Sequence, residues 1–257
     1  METTSDPAGR WLRWYGSRGD RAAVRLYVFG FAGGGASAYR SWGSLFEPAI
    51  EVCAVQLPGR EDRIGEPLAT DFEELAGRVF DALVPTADLP FAFFGHSLGA
   101  LFAYDMSRRL HETYGISPRH LFVSAHRPPH LPDTWPPLDT VDDAGLLELL
   151  RDADGTPDAV LQEADLVDLF LPILKADLAL SESYEHVPGR PPLPTPITAV
   201  GGDADPGVGR ADLEAWAGYT EGPFAARTMP GGHFFPRTAA AELVALISAR
   251  LTAGIGV

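Results

Sequence analysis

The feature that most restricts this chain is the pentapeptide Gly95-His96-Ser97-Leu98-Gly99, set between the apolar run Phe91-Ala92-Phe93-Phe94 and an apolar segment that starts at Leu98. A buried strand that enters a helix through so few residues must turn sharply. Small residues on either side let the turn close, and the serine hydroxyl is left exposed at the end of the strand. The pentapeptide alone is a weak signal, because short Gly–Ser spacings recur by chance. Its setting, strand before and helix after, is what nucleophilic chemistry requires. Ser97 is therefore the candidate nucleophile.

The rest of the chain supplies a sheet to carry that turn. Short apolar runs at 25–30, 51–55, 91–94, 120–124, 197–200 and 225–229 read as buried strands. Helical spacing separates them at 71–84, with Asp71 as N-cap, at 98–114, ended by Gly115, and at 238–251. Strands alternating with helices predict a mostly parallel sheet covered on both faces, hence an α/β fold. Between about 126 and 190 the alternation stops. Helical patterns at 143–151 and 161–183 appear there with many prolines but no convincing strand. An insertion of that length exceeds an ordinary loop and is expected to be a helical lid on a single domain, 1–257.

A serine hydroxyl needs a base to become a nucleophile at neutral pH. Seven histidines compete. Where a sheet carries such an elbow, the partners follow in the order Ser, Asp or Glu, His. His233, after the 225–229 strand and before the last helix, fits that order. His96 adjoins Ser97 but is expected to point away from it, and His126 and His130 precede every plausible acid. The turn after 197–200, Gly201-Gly202-Asp203-Ala204-Asp205-Pro206, offers two carboxylates. Asp205 is favoured because Pro206 stiffens the backbone behind it, leaving Asp203 as a turn or cap residue. An oxyanion needs backbone N–H donors, one from the residue after the nucleophile and one from an early turn. Leu98 is the first, and Phe31 or Ala32, in Gly30-Phe31-Ala32-Gly33-Gly34-Gly35, is the second. That turn lacks both G-x-G-x-x-G spacing and a Lys-Ser/Thr pair, which argues against nucleotide binding.

Composition excludes other classes. A formal net charge of -15 repels nucleic acid and anionic lipid. The most apolar stretch, 166–180, is broken by Asp168, Pro172, Lys175 and Asp177, and Met1 to Tyr15 has no apolar core segment, so neither a membrane span nor a secretory signal is expected. Cys53 is the single cysteine, so no intrachain disulfide can form, and a buried residue in a reducing, cytoplasmic compartment is expected.

Six segments, FGFAGG (29–34), QLPGREDR (56–63), FFGHSLGA (93–100), SAHRPPH (124–130), GGDADP (201–206) and PGGHFF (230–235), span nearly the whole chain in order. With them the chain resembles the type II thioesterases that accompany modular polyketide synthases and nonribosomal peptide synthetases. The resemblance implies an α/β-hydrolase fold and hydrolysis of acyl or aminoacyl groups from the phosphopantetheine arm of an acyl or peptidyl carrier protein. It implies an editing role by a monomer without metal or cofactor, and an acid at Asp205. Chain-releasing relatives often carry the acid after the strand that follows the elbow helix. Here that place reads Ser124-Ala125-His126-Arg127, without a carboxylate. One departure is Gly30, where the family commonly has proline, so the donor turn is expected to be looser. Arg60, Arg63, Arg127 and the arginines from Arg10 to Arg25 are candidates for docking an acidic carrier. A general carboxylesterase and a non-catalytic binding scaffold are the rival readings.

Overall fold

The apolar runs pair into one seven-stranded sheet. In the computed structural model, which describes residues 7–16, 21–133, 135–152 and 163–253, the strands are β1 (Leu12–Tyr15), β2 (Val24–Phe29), β3 (Ile50–Val55), β4 (Phe91–His96), β5 (Leu121–Ser124), β6 (Ile197–Gly202) and β7 (Phe224–Met229). Their order is β1-β3-β2-β4-β5-β6-β7. β1 lies antiparallel at one edge and every other pairing is parallel. All six strands read from the sequence are present within one or two residues. β1 is the one that apolar alternation does not reveal: it has four residues, a single buried side chain and Arg13 in its middle.

Counting helices of ten residues or more, α1 (Phe72–Leu83), α2 (Leu98–Tyr114), α3 (Asp143–Asp152), α4 (Ala164–Glu182) and α5 (Ala240–Thr252) complete the architecture. Asp71 caps α1 by accepting the Glu74 N–H at 2.8 Å. Gly115 ends α2 in the left-handed conformation, φ 66°. Alternate strand residues feed two cores. Tyr27, Phe29, Phe93 and Val123 pack with α1 and α2 on one face. Leu26, Val28, Phe94 and Phe122 pack with Leu243, Val244 and Ile247 of α5 on the other. Both faces are thus covered, as a parallel sheet requires, and Cys53 is buried in the first core. The fold is that of an α/β-hydrolase.

Two details of register create the site. β2 is flanked by β3 and β4, so the chain changes direction there, and ligands of open α/β sheets bind at the carboxyl ends of strands beside such a switch. Phe29 pairs with Gly95, so the turn leaving β2 emerges beside the elbow leaving β4. Gly202 pairs with Met229, which brings the loop carrying Asp203 and Asp205 against the turn carrying His233. Over these ends lie α3 and α4, which share a smaller core of Leu146, Leu150, Leu171, Leu174 and Leu178 that includes Ala32 of the β2 turn. Residues 153–162, where the expected second insertion helix would begin, lie outside the described residues.

Candidate active site

Ser97 joins β4 to α2 with φ 54° and ψ -124°, a backbone conformation that side-chain-bearing residues rarely hold. Its N–H donates to the Ser124 carbonyl at 2.8 Å, and its own carbonyl accepts from Ala100 N–H at 2.8 Å. The glycines on either side are there for space. A Cβ on Gly95 would sit 2.0 Å from the Gly99 oxygen, and one on Gly99 would sit 2.1 Å from the Phe29 oxygen. Neither contact is tolerable, so the crossing of α2 over the end of β2 demands both glycines.

Asp205 and His233 meet where the β6–β7 register places them. Asp205 Oδ2 lies 2.9 Å from His233 Nδ1. Asp205 Oδ1 accepts the N–H groups of Gly207 at 2.8 Å and Val208 at 3.2 Å, which fixes the carboxylate's rotation. Both side chains are buried, and His233 Nε2 has no hydrogen-bond partner among the described residues. Asp203 instead accepts the Gly231 N–H at 3.0 Å and so ties the acid loop to the histidine turn. Of the two candidate acids, only Asp205 touches the imidazole.

One cavity brings these groups together. Phe31, Ala32, Ser97, Leu98 and His233 line it from the sheet side, and Leu150, Leu174 and Leu178 line it from the insertion. Leu98 opens α2, so its N–H belongs to the first helical turn, whose donors have no intrahelical acceptor. The sequence-derived site residues are therefore gathered at one place. The remaining histidines have other contacts. His96 Nδ1 lies 2.9 Å from Ser124 Oγ, and burial, with His233 and Arg237 nearby, pushes its pKa well down, so it stays neutral. His126 reaches the cavity, but its Nδ1 lies 2.5 Å from the Arg127 carbonyl, and burial lowers its pKa as well. His111, His120 and His130 pair with Ser117, Thr198 and Tyr219.

Several of the arginines considered for carrier docking are paired within the chain. Arg60 is buried against Asp177 of α4, and Arg63 is buried against Glu66. Arg25 is buried against Glu51, and Arg127 pairs with Asp212. Arg10 and Arg13 pair with Glu66 and Asp62. Internal carboxylates thus engage the basic side chains of the QLPGREDR segment. Arg60 stands among the charged residues 60–63 and Asp177 inside an apolar segment, and nothing in the sequence signals that the two pair. Gln56, the first residue of the same QLPGREDR segment, accepts the Ala36 N–H through its Oε1 at 2.7 Å, a role that the sequence does not signal. Among the described residues no cluster of His, Cys, Asp or Glu is suited to a metal ion, and no helix is long and apolar enough to cross a membrane.

With this geometry in view, residues 24–251 match the family model described as a thioesterase domain. The chain belongs to the thioesterase family. It is 41% identical to the RedJ thioesterase of the prodiginine pathway in Streptomyces coelicolor, with a TM-score of 0.83 over 89% of this chain and 86% of that one. It is 36% identical to the type II thioesterase BorB of the borrelidin cluster, with a TM-score of 0.85 over 97% and 100% of the two chains. A further relative, 38% identical over 98% of this chain and 96% of its own length, is named linear gramicidin dehydrogenase LgrE, from Brevibacillus parabrevis. That name differs from the others. The family model and both structural neighbours carry the name thioesterase. The chain is a type II thioesterase of the polyketide and nonribosomal-peptide kind, a serine hydrolase.

Proposed function

We propose that the chain hydrolyses acyl or aminoacyl thioesters held on the phosphopantetheine arm of a carrier protein, with Ser97 as nucleophile, His233 as base and Asp205 as its orienting acid. The observation that carries this reading is the held imidazole. Asp205 takes Nδ1, leaving the buried, unpartnered Nε2 in the cavity that Ser97 lines. Ser97 Oγ attacks the thioester carbonyl and gives its proton to His233 Nε2. The tetrahedral oxyanion is held by the Leu98 N–H and by that of Phe31 or Ala32. Collapse breaks the carbon–sulfur bond, and the sulfur leaves as the pantetheine thiol with the proton from His233. Water then loses a proton to the same nitrogen, attacks the acyl-enzyme, and releases the carboxylic acid as the serine regains its hydrogen.

The insertion acts as the cover. Leu150 of α3 and Leu174 and Leu178 of α4 line the cavity opposite Ser97, so an acyl group on the serine would lie against them. An apolar lining from Leu150, Leu174 and Leu178 suits an aliphatic or aryl chain better than a charged one. No resident metal or cofactor takes part in this scheme.

Rates of release from an acyl-carrier protein, the matching free acyl-pantetheine and an aryl ester of the same acid test the proposal. The carrier-bound thioester should be turned over with the highest kcat/KM. Preference for the aryl ester, with no gain from the carrier, would point to a general carboxylesterase.

A further inference from the structure

The buried Arg60–Asp177 pair carries an inference about how the donor turn is held. Phe31-Ala32-Gly33-Gly34 is a β-turn, closed by Gly34 N–H to the Phe31 carbonyl at 2.9 Å, with Gly33 at φ 77° in its third position. Every other hydrogen bond gripping it comes from outside the turn. Asp177 Oδ2 accepts the Gly33 N–H at 2.7 Å. The same carboxylate binds Arg60 twice, Oδ2 to Nη1 at 2.5 Å and Oδ1 to Nη2 at 2.7 Å. Arg60 Nη1 in turn donates to the Gly34 carbonyl at 3.2 Å. Phe170, Leu174 and Asp177 lie on one face of α4 at helical spacing. A Cβ on Gly33 would come within 2.6 Å of the Phe170 ring and 3.7 Å of Leu174.

Such a pair is an uneconomical way to stabilise a fold. Both side chains are almost wholly removed from water, and apolar residues of the same volume often serve stability equally well or better. What the pair supplies that apolar residues could not is an acceptor and a donor aimed at two consecutive residues of the turn. We propose that Asp177 and Arg60 are positioning residues: they clamp the 31–34 turn so that its N–H donor meets the oxyanion, making this face of α4 part of the catalytic scaffold instead of a swinging cover. The clamp also compensates for Gly30, where the backbone lacks the stiffness of a proline. The proposal rests on the reading that Phe31 or Ala32 donates to the oxyanion.

The test replaces both partners, Arg60→Met with Asp177→Leu, so that no buried charge is stranded and the fold survives. It reads kcat and KM on an acyl-pantetheine thioester. It also reads the affinity for a trifluoromethyl ketone analogue, which forms a tetrahedral adduct with Ser97, against the affinity for the carboxylate product. Loss of one preorganised donor costs about 100-fold or more in rate. The expected result is a kcat lowered by about that factor with KM nearly unchanged, and weaker ketone binding with product binding retained. Asp177→Asn, which keeps one oxygen for the Gly33 N–H but leaves the buried Arg60 charge without its carboxylate, is the second variant, and where it folds it should show a smaller change in the same ratio. An unchanged ratio of ketone to product affinity in either folded variant overturns the clamp. If the wild-type enzyme itself shows no Ser97-dependent adduct with the ketone, it is the catalytic reading that has failed.

Discussion

Replacing Asp205 by asparagine separates the proposed catalytic acid from its neighbour Asp203 with a change of one atom. Asp205 Oδ1 accepts two backbone N–H groups, from Gly207 and Val208. An asparagine here must keep its carbonyl oxygen at that position, because turning the amide would set its NH2 against two donors. The NH2 then faces His233 Nδ1 in place of Oδ2. It donates to that nitrogen, so the imidazole proton moves to Nε2, the atom that has to accept from Ser97. The same tautomer inversion in a Ser–His–Asp protease lowers kcat by about 10⁴, which corresponds to a barrier about 5.5 kcal/mol higher. A loss of that size is expected for Asp205→Asn, with a melting temperature close to wild type because every backbone contact survives. Asp203→Asn is the control. Its oxygen can still accept the Gly231 N–H, so the loss should stay below about tenfold, far from the loss expected of a triad member. Steady-state release of thiol from an acyl-pantetheine measures both variants. Asp205→Asn within tenfold of wild type, or Asp203→Asn as the weaker of the two, would refute this assignment of the acid.

Two further outcomes follow from the elbow and from a buried histidine. Gly99→Ala places a Cβ 2.1 Å from the Phe29 oxygen and 2.5 Å from the Gly30 oxygen, displacing the turn by about 1 Å and lowering kcat about 100-fold; Gly77→Ala, in open space within α1, should leave kcat unchanged, and equal effects would refute the steric account. Burial, with Arg250 contributing, lowers His120 to about 4, below the unfolded value of about 6.5. The unfolded chain therefore binds a proton that the folded chain refuses, and stability present above pH 6.5 is lost as pH falls toward 4. From pH 7 to pH 5 this amounts to about 2 kcal/mol. In urea denaturation at the two pH values, His120→Gln should lose less stability than wild type by that amount, and identical losses would contradict the cause.

What could be read from the sequence was local or periodic. The elbow lies within five residues, six strands are continuous apolar runs, and the order of Ser97, Asp205 and His233 follows the chain. The sequence favours Asp205 over Asp203 as the acid, and in the structure Asp203 accepts from Gly231, across the gap between the two turns, while Asp205 lies against His233. β1 was not legible, because a four-residue edge strand with one buried side chain has no pattern to detect. The Arg60–Asp177 pair was not legible either, since its partners are 117 residues apart, Arg60 in a run of charged residues and Asp177 in an apolar segment where a charge reads as an interruption. For the same reason Arg60, Arg63, Arg25 and Arg127 looked like surface cations available for docking. Composition counts charges, whereas only the fold shows which of them are already paired.

The covalent step at Ser97 is the centre of the account, and intact-protein and peptide mass spectrometry after rapid quenching with an acyl-carrier protein tests it most directly. The expected result is a transient adduct of the acyl mass on the peptide that contains Ser97, absent in Ser97→Ala, whose turnover falls to background. An adduct on another residue, or near-native turnover by Ser97→Ala, would contradict it.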